Sequence, residues 1–278
     1  MRDRPRPHAI AVAGREAVAF ARQALLLRHD VAEPVLPEGA RDGDDVVVLL
    51  HGLFATAGVL RPMRAAIARQ ARGAGAGGPA ILTAAVSYPL GPGVEALTGR
   101  LAATLGALPT GARLHLCGHS LGGVVCRFYA QESGDARVVQ TISMASPFGG
   151  VPGARLIGLG GARDLDPASP VLRRILLGAA RSRVPHLSVI AGGDSLVRSP
   201  IAHALPSGEV RVMAARGHNT LLFDNEVAAL LVRRVLDLRS PPGTAASPTG
   251  PLPQDPGTAP GPPRDTAAPA GVTPRAAG

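Results

Sequence analysis

Apolar and polar positions along the chain fall into two alternating kinds of segment. Short, largely apolar stretches recur at Val46–Leu50, Ile81–Val86, Arg113–Cys117, Val138–Met144, His186–Ala191 and Glu209–Ala214. Runs of this length, rich in β-branched residues, predict strands buried in a parallel sheet. Between them, Val59–Ala71, Val94–Leu108, Val124–Ala130 and Asn225–Leu238 have helical spacing. Strands alternating with helices of this length predict βαβ units, with right-handed crossovers that place helices on both faces. In such sheets, ligands bind beyond the carboxyl ends of the strands.

Three segments stand outside the alternation. His8–Arg28 has helical spacing, with Ile10, Ala13, Ala17, Phe20, Ala21, Ala24 and Leu25 on one face. Arg15, Glu16, Ala19, Arg22 and Gln23 fall on the other face. Arg15, Glu16 and Arg22 interrupt the apolar core that a signal peptide needs, and no apolar run is long enough to span a bilayer. A helix packed on the domain is expected, with peripheral membrane contact through 8–28 as the alternative. Residues 150–178 hold a glycine-rich coil and a short helix, and read equally as a small cap or as a long crossover. Residues 240–278 carry 11 of the 27 prolines and little that could pack, which predicts a disordered tail. The expected organisation is thus a helical extension over 1–29, a main α/β domain over 30–239 with 150–178 as its candidate cap, and a tail over 240–278.

Composition changes this picture only slightly. Aromatic residues make up 3% of the chain and Trp is absent, so the core must be aliphatic. All 29 basic residues are Arg and the net charge is +9. The arginines are scattered and no aromatic-interleaved basic patch accompanies them, so a nucleic-acid site is not expected. The two cysteines, Cys117 and Cys126, lack metal spacing and read as buried thiols. A cytoplasmic location is the expectation.

The chemistry concentrates around Leu114–Tyr129. A strand runs into Gly118-His119-Ser120-Leu121-Gly122-Gly123, and a helix follows. A serine at the tip of a strand–turn–helix is the context of a nucleophile elbow. The glycines let strand and helix approach, and the turn lifts the hydroxyl clear of the sheet. Serine needs a base within hydrogen-bond reach, and the base needs an orienting acid. Ser120, Asp194 and His218 follow predicted strands in the order such a triad takes. His203 is the rival base, and Asp164 and Asp166 are the rival acids. An oxyanion would be held by backbone N–H groups: that of Leu121 after the nucleophile, and that of Leu53 in the turn after Val46–Leu50.

The chain resembles bacterial lipases and esterases of the α/β-hydrolase superfamily. The matching pieces are His51-Gly52-Leu53, the elbow with Gly118, His119 and Gly122, Ser146-Pro147-Phe148-Gly149-Gly150, Gly193-Asp194-Ser195-Leu196-Val197 and Gly217-His218. Phe148 and Gly150 stand where many lipases have the His and Thr of a Pro-His-x-Gly-Thr segment. The resemblance implies an α/β-hydrolase fold and hydrolysis of small-molecule or lipid esters through an acyl-serine intermediate, without a cofactor or metal. The same triad also supports thioesterase, amidase or acyltransferase chemistry, and a non-catalytic binding protein can share the fold.

Overall fold

The computed structural model describes residues 7–73, 78–197 and 199–239. The expectation for 240–278 lies outside the described residues.

The chain enters through helix α1 (Pro7–Leu26). It then alternates through β1 (Asp45–Leu50), α2 (Arg61–Gly73), β2 (Ile81–Val86), α3 (Val94–Gly106), β3 (Arg113–His119), α4 (Leu121–Glu132) and β4 (Val138–Met144). Two helices, α5 (Gly160–Asp164) and α6 (Pro170–Ala179), precede β5 (His186–Ala191). The chain ends through α7 (Pro200–His203), β6 (Glu209–Met213) and α8 (Asn225–Asp237).

The six strands form one wholly parallel sheet in the order β2-β1-β3-β4-β5-β6. The two-residue period of a strand divides its side chains between two aliphatic layers. From β1, Val46, Val48 and Leu50 face Leu97, Leu101 and Leu105 of α3 and Val124 and Val125 of α4. Val47 and Leu49 face Met63 and Ile67 of α2 and Val227 and Leu231 of α8. Every residue of β1 is buried, which explains its unbroken apolar run. The edge strand β6 departs from the expected buried run, because its first four residues are exposed. The charges of Glu209 and Arg211 on that edge discourage pairing with another sheet.

The amino ends of β1 and β3 meet at a buried carboxylate. Asp45 accepts hydrogen bonds from Arg113 Nε (3.0 Å), His115 Nε2 (2.7 Å) and Arg239 Nε (2.6 Å). Burial pushes the Asp45 carboxyl up, but the hydrogen bonds from His115 and Arg239 outweigh it and hold it below its ordinary value. A depressed carboxyl adds stability above its unfolded value of 3.8, and that stability is lost as pH falls through the folded value. Asp45→Asn is therefore expected to cost about 3 kcal/mol at pH 7, the low end for breaking a buried ion pair because both arginines are partly exposed. The gap between wild type and variant should narrow as pH drops below about 4, which urea unfolding at pH 7 and at pH 3.5 would check.

Helix α1 lies against the domain with its apolar face outward: Ile10, Phe20 and Leu25 of that face are all more than half exposed. The side against the domain carries Glu16 and the buried Ala19 and Gln23. No helix among the described residues is long and apolar enough to cross a membrane.

Candidate active site

The carboxyl ends of the parallel strands supply the site. Between β3 and α4 the backbone turns so sharply that Ser120 takes φ 51° and ψ −119°. A non-glycine residue with positive φ is strained, and such strain persists only where the surroundings enforce it. Here a hydrogen bond from Ser120 N–H to Met144 O (2.8 Å) and the start of α4 fix the turn. Close packing requires the flanking glycines. A Cβ on Gly118 would lie 2.1 Å from the Gly123 nitrogen, and one on Gly122 would lie 2.5 Å from His51 O. Gly118→Ala would force strand and helix apart.

The turn after β1 lies against the elbow, since a Cβ on Gly52 would come within 3.1 Å of both Ser120 Cβ and His119 Nδ1. His51 Nδ1 donates to Gly52 O at 2.9 Å and its ring stacks on Tyr88. Burial lowers the His51 pKa to about 4, so the ring is a neutral structural part of the turn. Among the described residues, no acceptor takes the N–H of Leu53 or that of Leu121.

His218 and Asp194 meet directly. His218 Nδ1 lies 2.7 Å from Asp194 Oδ2. An ionised carboxylate only accepts, so Nδ1 carries the proton, and in the neutral ring Nε2 is then the nitrogen with the free lone pair. The other oxygen, Oδ1, accepts from the N–H groups of Leu196 and Val197, each at 2.8 Å. The Asp194 side chain is 1% exposed. Burial pushes its carboxyl up, and the hydrogen bond and charge of His218 outweigh that, leaving it below the ordinary carboxylate range.

The rivals are placed elsewhere. Asp164 Oδ2 accepts from Val94 N–H (2.6 Å) at the start of α3, and burial pushes its carboxyl up. Asp166 Oδ1 accepts from Ala168 N–H (3.1 Å) in its own turn. His203 is the nearest competitor, with Nε2 3.7 Å from Asp194 Oδ2. That nitrogen donates to Val197 O at 3.0 Å, and burial lowers the His203 pKa, so the ring is a buried neutral neighbour of the acid.

A cavity of about 440 Å³ joins these parts, with Ser120, His119, Leu53 and His218 in its wall. No hydrogen bond joins Ser120 Oγ to His218 among the described residues, although both face this space. Such bonds are commonly long in free enzymes and close on the substrate. The rest of the wall is mostly apolar. Phe20 and Leu27 come from the N-terminal segment, Phe54 from the turn after β1, and Val151, Ala154 and Leu165 from the insertion before β5. Inserted helix α5 packs directly over the elbow, as a Cβ on Gly161 would lie 2.9 Å from Leu121 Cδ2. A volume of this size and an apolar lining suit a small organic ligand.

Two features of the site were not read from the sequence. His119 Nε2 donates to His218 O at 3.0 Å, across 99 residues, and burial lowers its pKa to about 3. The contact depends on the His218 loop returning over the elbow, which no local pattern encodes. The other feature is the contact of α1 with the loops of Asp194 and His218. Its signal was present: Glu16 has Val12, Ala13, Ala19 and Phe20 as helical neighbours, so no basic partner on its own helix accounts for it.

Neither a family model nor a curated protein matches the sequence. Solved structures do match in shape. Aspergillus fumigatus lipase B superposes with a TM-score of 0.57 at 16% identity, over 74% of this chain and 56% of that one. A structure from the metagenome-derived lipolytic enzymes LipS and LipT gives 0.51 at 17% identity, over 74% of this chain and 96% of that one. Est816, an N-acyl homoserine lactone degrading enzyme, gives 0.50 at 16% identity, over 73% and 99%. With its parallel six-stranded sheet, the strained serine turn between β3 and α4 and these likenesses, the chain has the α/β-hydrolase fold.

Proposed function

We propose that the protein is a serine hydrolase that cleaves carboxylic esters bearing an apolar acyl group. The observation that carries the reading is the convergence on one cavity of a strained serine, Ser120, and a histidine, His218, whose Nδ1–H is held by buried Asp194. Ser120 Oγ attacks the ester carbonyl while its proton passes to His218 Nε2. The resulting oxyanion accepts from the N–H groups of Leu53 and Leu121, which are otherwise unbonded among the described residues. Collapse breaks the bond to the alcohol oxygen, which takes the proton from His218 and leaves an acyl-serine. Water, deprotonated by His218, then releases the acid and restores Ser120. Asp194 orients the imidazole and stabilises its charged form.

The apolar lining supports an apolar acyl group, and residues 150–178 serve as the cap over it. The resembled proteins act, by their names, on lipids and on a lactone, which is a cyclic ester. Their likeness fits an ester substrate. The test is labelling of the purified protein by a serine-directed fluorophosphonate, followed by peptide mapping. A single adduct on Ser120 is expected. An unlabelled protein would sink the enzyme reading in favour of a binding protein with this fold.

A further inference from the structure

Midway along α1, Glu16 turns its carboxylate toward the loop that carries His218. Oε1 accepts from Asn219 N–H (2.7 Å) and from Asn219 Nδ2 (2.8 Å). Oε2 accepts from Thr220 N–H (3.1 Å) and from Thr220 Oγ1 (2.8 Å). All four donors thus belong to the two residues that follow His218. One turn earlier on the same side of α1, Val12 meets the loop that carries Asp194. A Cβ on Gly193 would lie 2.6 Å from Val12 Cγ1, and one on Gly217 would lie 2.3 Å from Glu16 Oε2. Both loops have glycine where α1 presses on them. They are also tied to each other, because Gly193 N–H donates to Arg216 O at 2.8 Å. Beyond its C-terminal end, α1 is anchored near the turn after β1, where Thr56 Oγ1 donates to Leu27 O (3.1 Å) and His29 O (3.0 Å).

We propose that α1 belongs to the catalytic assembly, with Glu16 and Val12 as positioning residues that hold the His218 and Asp194 loops in register. The proposal rests on the triad reading above. Asp194 and His218 both lie outside strands and helices, on connections that follow β5 and β6. A loop without ladder hydrogen bonds holds a side chain loosely unless something external fixes its backbone. A carboxylate suits that task better than an amide. All four partners are donors, and a glutamine could offer an acceptor to only half of them while turning its NH₂ toward the rest. Fixing residues 219 and 220 fixes the backbone entering them from His218.

The experiment compares full-length wild type with Glu16→Gln, Glu16→Ala and Val12→Ala on a short p-nitrophenyl ester. For Glu16→Ala, kcat should fall on the order of 10²-fold, the scale of an ångström misplacement, with KM little changed. The acidic limb of the kcat/KM profile should move to lower pH, because an imidazolium with a loosened carboxylate partner is less stable. A purely structural role would lower Tm and leave turnover per folded molecule and the acidic limb where they were. The Nδ1 proton of His218, read by NMR, gives a signal independent of turnover: it should broaden by exchange in Glu16→Gln. If Glu16→Ala does not fold, the near-isosteric Glu16→Gln carries the same measurements. Wild-type kcat, acidic limb and Nδ1 proton in Glu16→Gln would overturn the proposal. If the wild type hydrolyses no ester, the triad reading falls and the Nδ1 proton alone decides the positioning role, broadening supporting it and persistence overturning it.

Discussion

Ser120→Ala is expected to abolish both fluorophosphonate labelling and ester turnover, and His218→Ala to come close to the same. Without the hydroxyl no acyl-enzyme can form. Without the imidazole, nothing takes the Ser120 proton and nothing protonates the departing alcohol. Because these groups act as one unit, removing either should cost roughly 10⁶-fold in kcat, and the double variant should be hardly worse than the singles. The residual rate would come from the Leu53 and Leu121 N–H groups and from substrate binding. Stability should not follow activity. Ser120 holds its strained φ of 51° because the surrounding backbone enforces it, and alanine meets the same strain without added bulk. Thermal unfolding and turnover should therefore be measured on the same preparations. Loss of turnover at unchanged Tm supports the triad. Near-wild-type hydrolysis by Ser120→Ala would remove the elbow from the chemistry, and the functional reading with it.

What the sequence made legible follows from how locally each feature is encoded. The strands Ile81–Val86, Val138–Met144 and His186–Ala191 could be bounded to the residue, the last two because a strand buried on both faces has no reason to alternate. The tight turn at Ser120 was legible for a related reason. Gly118 and Gly122 are demanded by backbone contacts within a few residues or with the neighbouring strand, and no side chain would fit. Helix α1 was legible as a helix but not in its orientation. Helical spacing separates two faces, and the rule that the apolar one packs inward is only a tendency. Here Glu16 has four donors waiting on the domain, and the buried side forms around them. The four-residue α7 was missed because one turn has no period to detect. The contact of His119 with His218 joins residues 99 apart, so it could be seen only once the fold had brought the loops together.

Asp194→Asn tests the part of the site that the sequence left most open, since three aspartates competed for the acid. The expected result is a loss of about 10⁴-fold in kcat with the fold intact, by analogy with other triads. The cause is tautomeric. On the proposed mechanism Asp194 Oδ2, which can only accept, keeps the proton on His218 Nδ1 and so leaves Nε2 of the neutral ring to take the proton of Ser120. An asparagine can turn its NH₂ toward Nδ1, which favours the tautomer protonated at Nε2, and that tautomer cannot act as the base. Oδ1 of the wild type also accepts the Leu196 and Val197 N–H groups, which hold the amide one way round. Keeping its oxygen on those donors places its NH₂ toward His218. Asp164→Asn and Asp166→Asn, assayed beside it, should stay within a few-fold of wild type. Asp164 serves the start of α3 and Asp166 its own turn, and an asparagine oxygen can still accept at both. A pH dependence separates this from simple damage: a wrong tautomer should recover rate as pH rises, once hydroxide can replace the base, whereas a collapsed loop should not. Near-normal turnover of Asp194→Asn with collapse of Asp164→Asn or Asp166→Asn would place the acid in the segment before β5.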